Sequence, residues 1–235
     1  MTDFDPRTLA APLRALIAAG DAPALPPADE TLALRAAAAE AMVSTSLMAR
    51  IWREIEGELR RRTSAPPVAV WGGRSPAQAL TAARARFGVA ARLMPMETPE
   101  IALAAARPPR GVAVIALQPD NAWWLRLLAE PELKVFASLP ETEGPSPRAA
   151  FAVAAVETGP TGADETYFVT DAAAPVARIQ TALQEAGLIG EMLQETGGLK
   201  LLALAGYVQA EDVRLSAVPG RLKGVIGHAP LPFSL

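Results

Sequence analysis

The sequence predicts a multidomain α+β and α/β protein: an N-terminal helical segment over 1–63, a central α/β domain over 68–156 and a C-terminal βαββαβ domain over 165–235. Three observations predict it. From 29 to 62 apolar residues recur at three- and four-residue steps with no internal proline, the spacing of helices with one buried face. From 68 onward short apolar runs alternate with helical patterns, the rhythm of strands and helices in layers. After the stretch ETGPTGADE at 157–165 that rhythm changes to strand, helix, hairpin, short helix and strand.

In order, a short first helix is expected over roughly 9–19. The run at 29–62 divides near VSTS, where a serine can cap a second helix, and Arg60, Arg61 and Arg62 then sit favourably at its C-terminus. TSAPP at 63–67 cannot continue a helix. VAVW, AARLMPM and GVAVIAL read as strands separated by the helices SPAQALTAARARFG and TPEIALAAA, an alternation that predicts a mostly parallel sheet. NAWWLRLLAE reads as a helix, and LKVFASLP and RAAFAVAAVE as strands. Beyond 165 come strand TYFVTDA, helix PVARIQTALQEAG closed by Gly187, strands IGEMLQE and LKLLALAGYV around a TGG turn, a short helix near AEDVRLSAVPG and strand LKGVIGHA.

Composition bounds the chemistry. With 235 residues, 51% hydrophobic and 20% charged, the chain can bury a real core. A net charge of -3 gives no field for phosphate backbones and argues against a nucleic-acid partner. The lack of cysteine and the single histidine exclude disulfides, thiolate nucleophiles and imidazole-rich metal sites. No motif calls for a cofactor or a metal. The N-terminal stretch carries acids where a secretory signal needs bases, and Pro12, Arg14 and Asp21 interrupt it. No apolar run approaches the roughly 20 residues of a membrane span, so the expectation is a cytoplasmic protein without a membrane partner.

Three features carry candidate chemistry. In WGGRSPAQA a strand runs through Gly72, Gly73, Arg74 and Ser75 into a helix whose first amides suit a carboxylate or phosphate, although such turns commonly serve geometry alone. Arg50, Arg53, Glu54 and Arg60 to Arg62 form a polar helix face that either holds an anionic substrate or is simply solvated. His228 lacks any spaced acid or serine to orient it as a base. Of the adjacent Trp123 and Trp124, one is expected in the core and the other beside a cleft or interface.

The layout and several segments resemble the bifunctional chorismate mutase–prephenate dehydratase family. ARIWREIEGEL resembles the last helix of its mutase domain, VAVWGGRSPAQALTAARARFG the opening of its dehydratase domain, and ALQEAGLIGEMLQETGGLKLLALAGYV with LKGVIGHAPLP its ACT regulatory domain. The resemblance implies a periplasmic-binding-protein-like fold for 68–156, an ACT-like fold for 165–235, a homodimer and a place in aromatic amino acid biosynthesis. It maps a catalytic set onto Arg14, Glu30, Arg50 and Arg53, and a ligand-binding set onto Gly72, Gly73, Arg74, Ser75, Arg148, Gly187, Leu188 and Ile189. The implied ligand is a small carboxylate: chorismate, prephenate or an aromatic amino acid.

The chain also departs from that family. Asp29 stands where an arginine precedes the glutamate, PRAAFAVAAV offers no threonine for the dehydratase step, with Ser146 the nearest hydroxyl, and Gln194, Glu195, Thr196 and Gly197 replace the effector signature. Two expectations follow: a trimmed isomerase that converts chorismate to prephenate, needing only a shaped cationic pocket, or an inactive relative that binds a small carboxylate or amino acid. Arginines 14, 50 and 53 converging on one cavity mark the first. An open pocket near 73–75 or 187–189 marks the second.

Overall fold

The computed structural model describes residues 6–20, 26–63, 65–109, 111–144 and 147–234. A 3-10 turn, Pro6–Leu9, leads into α1 (Ala10–Gly20), α2 (Pro27–Ala41) and α3 (Thr45–Arg62). The expected break at VSTS is sharp. Met42 adopts a left-handed conformation with φ 53°, and the Ser44 hydroxyl accepts from the Leu47 amide at the start of α3. The three helices bury Leu16, Leu34, Ala37, Met48 and Trp52 together with Phe233 from the far end of the chain. No single helix among the described residues is long and apolar enough to cross a membrane.

The strands are β1 (Val68–Trp71), β2 (Leu93–Pro95), β3 (Val112–Ala116), β4 (Lys134–Leu139), β5 (Ala150–Ala154), β6 (Asp164–Thr170), β7 (Gly190–Thr196), β8 (Leu199–Ala205) and β9 (Lys223–Pro230). Helices α4 (Pro76–Phe87), α5 (Pro99–Ala106) and α6 (Val176–Glu185) lie between them. All nine strands join in one mixed sheet, in the order β2-β1-β3-β5-β4-β9-β6-β8-β7.

This corrects the expectation of a mostly parallel sheet. Parallel pairing needs a crossover long enough to return the chain, and α4 and α5 provide it for β1, β2 and β3. Between β4 and β5 no helix intervenes, and β5 runs antiparallel to both β3 and β4. The C-terminal pairs β6·β9, β6·β8 and β7·β8 are antiparallel as well. The segment NAWWLRLL is likewise a 3-10 turn, Trp123–Leu128, and both tryptophans are buried rather than one. The Trp123 indole donates to the Ala116 carbonyl at 2.8 Å, which draws the turn onto the end of β3. The short helix expected near AEDVRLSAVPG is also 3-10, Val213–Ala217.

The two halves of the sheet meet where β9 runs parallel to β4, with Val135 opposite Gly227. Gly227 has φ 150°, and a Cβ there would lie 2.2 Å from the Val135 carbonyl oxygen, so this approach needs glycine. Val70 and Val114 on one face of the first half, and Ile115 and Phe151 on the other, are buried in one core with Ala83 and Phe87 of α4 and Leu103 of α5. On the second half, α6 packs Ile179 and Leu183 against Phe168, Leu202 and Leu204, which share one sheet face.

Candidate functional site

The residues assigned to an isomerase pocket do not gather in one cavity. Arg14 and Arg50 are exposed. Arg53 is 3% exposed and reaches Glu30 at 2.9 Å, Glu56 at 3.0 Å and Glu141 at 3.0 Å. Arg86, 5% exposed, is 3.2 Å from Glu30 and 3.0 Å from Glu56; its Nε is 2.9 Å from Glu141, within ion-pair distance but without hydrogen-bonding geometry. Trp52 Nε1 donates to Glu30 at 2.9 Å. Burial pushes the Glu30 carboxyl up, but the Arg53 and Arg86 charges and the Trp52 and Arg53 donors outweigh it and hold the group down at about 2. Two buried guanidinium groups meet three carboxylates here, with Arg60 near enough to act on Glu56 and Arg86, and the cluster joins α2, α3, α4 and the turn after β4.

At the Gly-Gly turn, Gly73 has φ 52° and lies against the Gln118 side chain, which accepts from the Arg74 amide at 3.3 Å. The Arg74 guanidinium pairs with Asp120 at 2.5 Å in solvent. Ser75 makes no side-chain cap; its carbonyl accepts from the Gln78 and Ala79 amides. Gly72, Gly73, Arg74 and Ser75 thus form a turn whose charged side chain is already paired.

A cleft of about 450 Å³ opens elsewhere, on the sheet face opposite α6, lined by Gly162, Ala163, Glu165, Ile189, Glu191, Ala203, Ala205 and Leu231 among others. Strand register explains its shape. Ala203 pairs with Tyr167 on one side and Glu191 on the other, and Ala205 pairs with Glu165. Directly paired residues share a face, so two alanines form the floor of a slot walled by a carboxylate on each side. Ile189 is 73% exposed at the rim. The two walls differ in charge. Glu165 is taken by the Arg148 guanidinium, which also donates to Ser138 at 2.7 Å and lies over the Tyr167 ring, while the Tyr167 hydroxyl donates to Glu165 at 3.1 Å. Burial raises the Tyr167 phenol well above its ordinary range. Glu191 is exposed.

Of the ligand-binding set, Ile189 therefore lines the slot, and Arg148 braces one wall from behind. Gly187, with φ 73°, closes α6 as the sequence predicts, and Leu188 is buried beneath it. The floor alanines escape sequence reasoning because an alanine in a strand carries no chemical signal; only the register gives them a place. Ser146 lies outside the described residues. Among the described residues no group of three or more acids or histidines is arranged to hold a metal.

His228 is inside, 8% exposed, as a polar member of the core. Its Nε2 is 2.9 Å from the Val208 carbonyl and its Nδ1 2.8 Å from the Thr158 hydroxyl, while Tyr207 stacks on the ring at 4.1 Å. A carbonyl only accepts, so Nε2 carries the proton and Nδ1 accepts from Thr158.

No protein-family model matches the chain. No curated protein matches it either. Among solved structures, one described as GqqA, a novel type of quorum quenching acylase, is 18% identical with a TM-score of 0.49, over 69% of this chain and 94% of that one. A prephenate dehydratase from Streptococcus mutans is 12% identical with a TM-score of 0.44, over 72% of this chain and all (100%) of that one.

Proposed function

We propose that the chain is a non-catalytic relative of the chorismate mutase–prephenate dehydratase family that binds an amino acid in the slot over Ala203 and Ala205. The segment resemblance supports the family. The C-terminal strand order β9-β6-β8-β7, with α6 on one face, is the order of a ferredoxin-like ACT fold. The observation that carries the binding reading is the slot itself: small residues leave room beside a sheet that is otherwise filled, with apolar Ile189 and Leu231 at its edge. Arg148 offsets Glu165, so Glu191 supplies the uncompensated charge and favours a ligand bearing an ammonium group next to an apolar body. That preference is for an amino acid over a simple carboxylate.

Charge argues against the isomerase reading. Chorismate is a dianion, and its rearrangement needs cations at both carboxylates and hydrogen-bond donors at the breaking ether oxygen. Arg53 and Arg86 are buried and already face three carboxylates, so neither is free to meet such a substrate.

The test is a thermal-shift and calorimetric series with phenylalanine, tyrosine and leucine, each beside its deaminated acid. Amino acids are expected to raise the melting temperature and the acids to leave it unchanged. Ala203→Leu fills the slot and is expected to abolish the shift while preserving the circular dichroism spectrum. A shift that survives Ala203→Leu, or that the acids share, overturns this site. Chorismate absorbance is expected to stay constant with the protein added, and turnover would restore the isomerase.

A further inference from the structure

Strand register divides the slot into two rows. Glu165, Ala205 and Ile189 stand abreast on β6, β8 and the residue before β7, where the Ala205 amide donates to the Ile189 carbonyl at 2.9 Å. Two residues further along β6, Tyr167, Ala203 and Glu191 stand abreast in the same way. Glu165 and Glu191 therefore occupy opposite corners of the alanine floor, on strands two spacings, about 9–10 Å, apart. A ligand whose ammonium meets Glu191 has a side chain that crosses the floor toward Glu165. The charge at that second corner decides which side chains fit.

We propose that Arg148 is the specificity-determining residue of the slot: by occupying Glu165 it bars a second ligand cation and restricts the site to amino acids with an uncharged side chain. Arg148 lies just before β5, in the first half, and reaches Glu165 across the seam. Its Nε donates to Ser138 at 2.7 Å, and its guanidinium lies 5.6 Å from the centre of the Tyr167 ring. The ion pair is largely enclosed, with the two side chains 20% and 16% exposed, so a ligand cation that displaced the guanidinium would strand it. The Tyr167 hydroxyl, kept protonated by burial, donates to the same Glu165 oxygen as Arg148, Oε2. Oε1 remains an acceptor for a neutral donor on the ligand, but the charge of the carboxylate is already offset. A side-chain ammonium arriving there would give up its water for an acid that has its cation.

The linker side of the slot offers no second anion either. Asp164 is 6% exposed and accepts from the Thr161 hydroxyl and from the Thr161 and Gly162 amides. Being next to Glu165 on β6, it points to the other face of the sheet. Arg35 reaches the same linker from α2, donating to the Thr161 carbonyl at 2.8 Å. Among the described residues lining the slot, Glu191 is thus the acid left for a ligand.

This specificity rests on the slot reading, and the test separates the two. Norleucine and lysine share one carbon chain and differ by a terminal ammonium, so the ratio of their affinities, measured by calorimetry at neutral pH, isolates the second charge. The unmodified chain is expected to prefer norleucine. Arg148→Met keeps an apolar stem over Tyr167 but removes the cation, and is expected to move the ratio toward lysine by about tenfold, the order of one hydrogen bond to a charged group. Adding Glu165→Gln to that variant is expected to undo the shift, and Arg148→Lys, which keeps a cation, to retain the norleucine preference. Should Arg148→Met fail to fold, Glu165→Gln alone serves: it leaves the guanidinium unopposed and is expected to widen the preference for norleucine. Lysine binding as tightly as norleucine to the unmodified chain overturns the proposal, as does a ratio that neither Arg148→Met nor Glu165→Gln moves. In those cases the slot itself stands, provided Ala203→Leu abolishes binding. Binding of neither amino acid, or binding that survives Ala203→Leu, removes the slot and this specificity with it.

Discussion

At the scale of single residues, burial changes what an arginine can do. Arg50 and Arg53 are three residues apart on α3, yet one is in water and the other is enclosed by Glu30, Glu56 and Glu141. Removing one partner from a buried ionic cluster strands the rest without compensation, typically at about 3–5 kcal/mol, whereas an exposed change stays within about 0.5 kcal/mol. Arg53→Ala is therefore expected to lower the urea midpoint severely and Arg50→Ala hardly at all. Equal small effects would return Arg53 to the candidates for a binding role. Glu30 adds a pH dependence. Its carboxyl, held at about 2 against an ordinary 4.5, stays ionised in the folded chain when the unfolded chain has already taken up a proton. Its stabilising contribution is complete above 4.5 and fades as the pH falls toward 2. Glu30→Gln is expected to lose stability at neutral pH and to flatten the acid limb of the stability curve, read from urea midpoints between pH 2 and 6.

At the scale of elements, two glycines set how closely α3 meets α4. A Cβ on Gly57 would lie 2.6 Å from the Phe87 carbonyl, and one on Gly88, at φ 78°, 2.3 Å from the Arg53 carbonyl. Overpacking such a contact costs about 1–3 kcal/mol. Gly57→Ala, which would stabilise an ordinary exposed helix, is expected to destabilise this one, with the sign of the change in melting temperature as the check. The sequence carries a hint here, since a glycine inside a helical run works against the helix unless something presses close. Most elements were legible in the same local way: the Ser44 cap, the proline starts of α4 and α5, the Gly187 stop. Pairing was not. Whether β5 runs with or against β3 depends on the path of the chain between β4 and β5, and Arg53 finds Glu141 across 88 positions. The site suffered most from this. Ile189 and Arg148 could be named from a resemblance, but Ala203 and Ala205 become a floor only when β8 sits between β6 and β7.

At the scale of the whole molecule, one nine-stranded sheet spans two halves that the linker 157–163 would otherwise let move apart. Among the contacts that hold them in register are three of different kinds. β9 meets β4 at Gly227 and Val135, the Gln194 side chain donates to the Gln118 and Asn121 carbonyls at 2.7 and 3.2 Å, and Phe233 returns to the helical layer. The first is backbone against backbone and has the least room to yield. Gly227→Ala adds a methyl 2.2 Å from a carbonyl oxygen and asks alanine to hold φ 150°, so it must prise β9 from β4 or distort both. The probes for the outcome are already in place. All 4 tryptophans, at 52, 71, 123 and 124, precede the linker, so their fluorescence weights the first half, while circular dichroism follows both. For the unmodified chain the two signals are expected to change together in urea, as cooperative unfolding requires. In Gly227→Ala the dichroism is expected to begin its loss at lower urea than the fluorescence, because the β6–β9 half then rests chiefly on the smaller core under α6, while the first half keeps most of the larger core that the two share. Coincident transitions in that variant would mean that the shared core and the side-chain ties, rather than the backbone seam, make the two halves one folding unit.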